Sequence, residues 1–299
     1  MPGALRGVAA LTAVPLSGLL VAQTPRWSFD AFLLAALLLG GVLYARGAWV
    51  SWTSKDVVRA LKPWQVSAYA AGWLTACVAL VSPLERLAAE RVSAHVAQDV
   101  VLFFVAAPLL ALGRPLLPFL WALPRELRKG VQAKLRARGA VRTWRVLTHP
   151  LVAVTAPALT LWLWHLPGTG LKTGPVRALE LVSSFIAAVL FFRAVAPGRA
   201  RRLSPGLAAL LVLATTVHTS LLGVLLTFLE RPWFATTALD PLLDQRLAGM
   251  ILWLLAGLVL SGVGLAHLGA WLDGAETRTR RSTVELLTRP RRTTTRTQP

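Results

Sequence analysis

Apolar residues gather into eight runs, at about 4–23, 29–47, 64–82, 93–113, 150–167, 176–196, 205–228 and 246–271, with polar residues collected between them. Each run has roughly the 17–25 residues that a helix needs to cross ~30 Å of hydrocarbon. The pattern predicts an all-α polytopic transmembrane bundle. Seven core helices fill 29–272. An N-terminal segment, 1–28, precedes them, either as a signal peptide or as a first span. The pattern at Val21-Ala22-Gln23 suits cleavage poorly, so a retained span is the better reading. An arginine-rich tail, 273–299, follows and is expected to be disordered.

Interruptions within and between the runs add detail. Pro108, Pro115 and Pro118 should bend or stop the fourth run near Gly113 and leave a short segment beyond it. Between 124 and 148, Leu127, Val131 and Leu135 alternate with cations at a spacing that suits a helix lying on a membrane surface; a solvated connector is the plainer alternative. Trp27, Trp49, Trp52, Trp64, Trp121, Trp144 and Trp271 stand near run ends, as interfacial anchors do. Gly257 and Ser261 are small enough to allow close helix contact in the last run.

Composition agrees with a membrane protein: 55% of the 299 residues are hydrophobic and only 15% are charged. The net charge of +19 is explained by topology rather than by nucleic acid. Loop 124–148 alone carries Arg125, Arg128, Lys129, Lys134, Arg136, Arg138, Arg142 and Arg145 against Glu126. Counted over alternate loops and both ends, one side of the membrane holds 25 of the 32 basic residues, and the other holds eight of the 13 acids. This asymmetry marks the basic side as cytoplasmic. The expected setting is a membrane, crossed several times, with the C-terminus in the cytoplasm and the lipid bilayer as an obligatory partner. The single cysteine, Cys77, excludes an intrachain disulfide and a CxxC metal site.

With the sides assigned, ionisable residues can be placed by depth. His95 and Asp99, four apart, share a helix face, and Gln98 sits beside them. They open an out-to-in helix, so they lie at its outer end. His165 closes the fifth run in WLWHLP. Glu180 lies in the first turns of the sixth run, and Asp244 opens the last. Four spans thus bring His, Asp or Glu to one level. Two imidazoles with carboxylates suit a borderline divalent metal such as Cu(II) or Zn(II), whereas a Cu(I) carrier would more often be rich in Cys and Met, and this chain has only Cys77, Met1 and Met250. Each residue also has an ordinary role open to it. His95 and Asp99 can form a hydrogen-bonded pair at a helix start, where the dipole favours a carboxylate. His165 can anchor the interface, Glu180 can pair with Arg177, and Asp244 can be an N-cap. His218, deeper in the seventh run, reads as a buried histidine with its polar atoms satisfied.

Catalytic patterns are not found: there is no GxSxG, P-loop or HExxH, and no case for an enzyme. The ordered motifs do resemble a family, the polytopic bacterial CtaG assembly factors of caa-type cytochrome c oxidase. The resemblance is carried by LYARG, by VSPLERLAAERVSAHVAQDVVLFFVAAPLLALGRPLLPFLWALP, by HPLVAVTAPALTLWLWHLP, by VRALELVSS, by LLGVLLTFLERPWF and by PLLDQRLAGMILWLLAG, in order and spacing from about residue 30 to 272. It implies a role in building the oxidase in a bacterial plasma membrane, with oxidase subunits as partners and a copper ion delivered or supported at the outer face.

Two positions depart from the pattern that the resemblance implies. Members usually read H-x-x-Q-H where this chain has His95, Gln98 and Asp99, and E-H where it has Glu180 and Leu181. Two imidazoles are thereby replaced, although Asp99 can still coordinate. The expected ligand set is His95, Asp99 and His165, with Glu180 and Asp244 as supporting or occasional ligands. Two other readings stay open: a small metal or proton transporter, and a purely structural partner of the oxidase.

Overall fold

The computed structural model describes residues 27, 30–53, 61–167, 171, 173–196, 203–237 and 240–288, with side chains to 276. Among the described residues every regular element is helical. They run in the order α1 Ala31–Thr53, α2 Pro63–Val81, α3 Pro83–Glu90, α4 Val92–Leu112, α5 Leu116–Ala122, α6 Arg125–Arg136, α7 Arg138–Leu147, α8 Pro150–Trp164, α9 Gly174–Val195 and α10 Pro205–Phe228. The last helix, α11, runs from Pro241 to Thr288. Six of them, α1, α2, α4, α9, α10 and α11, are each long and apolar enough to cross a membrane; α7 and α8, bent by 64° at their junction, can supply a seventh span. The seven core runs are therefore where the hydrophobic pattern places them, while the run at 4–23 lies outside the described residues. The last helix continues as helix to Thr288, past residue 273, where a disordered tail was expected.

Local chemistry sets the helix starts. Proline occupies the first turn of α2, α3, α8, α9, α10 and α11, where its missing N–H is not needed. Ser82, Ser204 and Asp240 cap α3, α10 and α11 by accepting from backbone N–H groups two or three residues on. As the prolines suggest, α4 stops at Leu112; Arg114 turns the chain with φ 55°, and short α5 follows. Helices α6 and α7 bury no residue.

Helix α4 is the axis of the bundle: 56% of its apolar window is buried, against 17–39% for the other spanning helices. It packs Leu102, Phe103 and Ala106 against Ala76 and Ala79 of α2 and Phe191 and Phe192 of α9. On its other face Val92, Val96 and Val100 meet Leu222 and Leu226 of α10 and Ala248 of α11. Among the glycines of α11, Gly257 faces Ser220 of α10 at ordinary van der Waals range, and a tighter approach lies at Gly249 against Gly223. A Cβ on either glycine would press into the other's carbonyl, so only hydrogen fits there. Both α4 and α11 contain a π-helical stretch, Val101–Ala106 and Leu252–Ala256, directly after their polar opening turns.

Candidate metal centre and its polar surround

Helix alternation brings the starts of α4, α9 and α11 and the end of α8 to one end of the bundle, opposite the basic loops. His95, Gln98 and Asp99 of α4, His165 after α8, and Arg177 and Glu180 of α9 are all buried there. One ligand atom from each of His95, Asp99 and His165 lies within 4.8 Å of the other two, the spread of a metal-binding set. The imidazole rings of His95 and His165 are 6.2 Å apart, edge to face. His165 approaches Leu161 O with Nδ1 at 2.8 Å, which assigns the proton to Nδ1 and leaves Nε2 free. The His95 Nδ1 is buried and has no partner among the described residues.

Arg177 does more than form the local ion pair that its spacing from Glu180 suggests. It does pair with Glu180, at 2.9 Å, but that ion pair is one part of a larger junction. The same guanidinium donates to Asp99 Oδ1 at 3.1 Å and to Gln98 Oε1 at 2.6 Å, and stands 3.1 Å from His95 Nε2. Glu180 Oε1 reaches that same His95 nitrogen at 3.1 Å. Nε2 can donate to the carboxylate or accept from the guanidinium, not both, so the ring chooses between two partners. Gln98 completes the junction by donating to Ala79 O at 2.9 Å and to Glu85 of α3. One planar fork thus bridges α4 and α9, and two buried carboxylates share one cation. A buried arginine inside a span was itself a signal, because such charges persist only where something pairs with them.

Asp244 takes a different place. Its Oδ2 accepts from Val92 N at 2.7 Å, and its Oδ1 accepts from Ser93 N at 3.2 Å and from the Ser93 hydroxyl. It therefore caps the first turn of α4 across the bundle rather than the start of its own helix, which Asp240 caps. Its neighbour Gln245 accepts from Trp233 N at 2.6 Å and donates to Leu226 O and Arg231 O. The Asp-Gln pair fastens α11 to α4 on one side and to the 229–234 connector on the other. The geometry brings His95, Asp99 and His165 together, joins Glu180 to them through His95, and places Asp244 one turn before His95 on the backbone of α4.

Against known proteins, a family model described as cytochrome c oxidase caa3 assembly factor matches residues 42–273. The match spans more than half of the chain, and the chain belongs to this family. Comparisons with curated proteins and with solved structures returned no match.

Proposed function

We propose, taking membership of a family of oxidase assembly factors as the premise, that this chain holds a copper ion bound for cytochrome c oxidase at His95, Asp99 and His165. The convergence of those three ligand atoms within 4.8 Å supports the reading most directly. Two imidazoles and a carboxylate are donors of the right kind for copper, and the unpartnered Nδ1 of His95 is a buried polar atom that a metal would satisfy. Positive-inside asymmetry puts this end of the bundle at the outer face of the membrane, with the C-terminus in the cytoplasm. Glu180 orients His95, and Asp244 holds the first turn of α4 in place.

Arg177 tempers the affinity. It holds Asp99 Oδ1 at 3.1 Å and leaves Oδ2 open to an ion. A carrier needs a moderate affinity, and a guanidinium charge fixed beside the site lowers the affinity for a second cation. The test is metal content of the purified protein, and copper content of the oxidase in cells, for wild type, His95→Ala and His165→Ala. Each variant should remain in the membrane and lower both values; unchanged oxidase copper would sink the reading.

The Arg177 junction favours a second reading as well. Its contacts link α4 and α9 without any metal, as a structural partner of the oxidase would need. On that reading the protein co-purifies with oxidase subunits free of metal, and His95→Ala leaves the association intact.

A further inference from the structure

The basic stretch between α5 and α8 is left uncovered by the bundle, and both of its helices are two-sided. In α6, Leu127, Val131 and Leu135 fall four apart and form one stripe, with Leu127 61% and Leu135 54% exposed. Arg125, Lys129 and Arg136 lie opposite. In α7, Ala140, Val141, Trp144 and Leu147 recur at helical spacing on one face, and Arg138, Arg142 and Arg145 occupy the other. Glu126 is the one acid of the stretch, and it pairs with Lys129 at 3.6 Å.

Two features place these helices at the edge of the hydrocarbon. Three arginines within ten residues are too costly for α7 to enter it, so α8 enters alone, and its 15 residues rise ~22 Å. The 64° bend at their junction then lays α7 nearer to the membrane plane than to its normal. In addition, Arg193, in the last turn of α9, stacks on Trp144 with its guanidinium carbon 5.0 Å from the ring centre. That contact ties α7 to the end of the bundle away from the polar cluster. Arg114, where the chain turns after α4, stands near enough for its charge to bear on Arg193. No ion pair among the described residues neutralises either arginine.

We infer that α6 and α7 seat on the phospholipid headgroups of an anionic leaflet, their apolar faces turned to the acyl boundary and their cations among the phosphates. Charge and continuity select this occupant. Eight cations against one acid suit an anionic surface. The pair is held between α5, whose Pro118 packs on Gly47 of α1, and α8, so the surface within its reach is the leaflet itself. Exposed leucines and a tryptophan backed by arginines are what a helix lying in the headgroup layer requires. Arg114 and Arg193 add two cations at the same end of the bundle. The inference is independent of the metal reading, because no residue of the polar cluster takes part.

The test places the full chain, with Cys77→Ala, in nanodiscs of phosphatidylcholine alone and of phosphatidylcholine mixed with phosphatidylglycerol. Leu135→Cys carries a spin label on the apolar stripe, and Ala133→Cys carries one on the opposite face. Accessibility to oxygen, which concentrates in hydrocarbon, is compared with accessibility to a water-soluble nickel chelate. In the anionic discs the oxygen-to-nickel ratio at Leu135 should exceed that at Ala133 severalfold. It should fall in phosphatidylcholine alone, in high salt, and when Arg138→Gln, Arg142→Gln and Arg145→Gln are combined. A Leu135 label open to nickel in both discs overturns the inference and leaves a solvated connector. A label that enters hydrocarbon equally in both discs and at every salt concentration also overturns it, since charge then selects nothing. A label shielded from both reagents is covered by protein, which overturns it too.

Discussion

Two polar regions meet at His165, and they solve the problem of burial in opposite ways. At the end of the bundle, Arg177 is shared among Asp99, Glu180, Gln98 and His95, so that nearly every polar atom finds a partner supplied by the chain. Deeper in, the nitrogens of His218 find none among the described residues. The first arrangement is held by electrostatics, and its members cannot be exchanged singly without leaving a charge behind. The second is surrounded by Phe103, Phe191 and Phe192, and His218 and Thr219 bring to it polar atoms with no partner among the described residues. The expectation of a satisfied buried histidine is not met. A buried polar group that the chain itself satisfies is part of the framework; one that it does not satisfy is a candidate for a ligand from outside.

The strongest way to break this comparison is to remove the shared cation. Arg177→Met leaves Asp99 and Glu180 buried without their partner, and should cost about 3–5 kcal/mol of stability against unfolding in detergent. Arg177→Lys should recover only part of it, because an ammonium lacks the fork that reaches Asp99, Gln98 and Glu180 at once. A loss below about 1 kcal/mol would show that the carboxylates do not depend on Arg177, and the junction would not be the framework described here.

The next test separates position from ligation. Asp244→Ala removes the acceptor for three donors at the start of α4 and should cost about 1–3 kcal/mol. Metal stoichiometry measured on the folded fraction should stay at its wild-type value, since Asp244 acts through the backbone of Val92 and Ser93. Asp244→Asn, which keeps one acceptor oxygen, should recover part of the stability. Lost metal with unchanged stability would instead make Asp244 a ligand.

The core helices were legible because a span announces itself by length and apolar content, which need no knowledge of its neighbours. The stop near Gly113 was legible for a similar reason: prolines act locally, and α4 does end at Leu112. The convergence of His95, Asp99 and His165 followed from alternation of the spans, which fixes depth but not azimuth. Azimuth is what the sequence reading could not supply. Arg177 and Glu180 are three apart, so a local pair was the obvious reading, and nothing along the chain said that the same guanidinium would reach across to α4. Asp244 was misassigned within its own helix for the same reason. Its partners are more than 150 residues away, and Asp240 fills the local role. Gly257 does face α10, but the tighter contact at Gly249 was not legible because small residues recur along α11 and only packing selects among them.

The smallest expected effect sharpens the comparison most. If the imidazole of His218 is not part of the framework, replacing it with an apolar group of similar size should change stability by less than about 1 kcal/mol, because no hydrogen bond is lost and a desolvated polar group is removed. His218→Leu should therefore unfold at or slightly above the wild-type midpoint in the absence of metal. His95→Leu provides the contrast, since it deprives Glu180 and Arg177 of a neighbour at 3.1 Å and should cost about 1–3 kcal/mol. Equal losses in the two leucine variants without metal would mean that His218 has a partner in the folded chain, and the two regions would then be one.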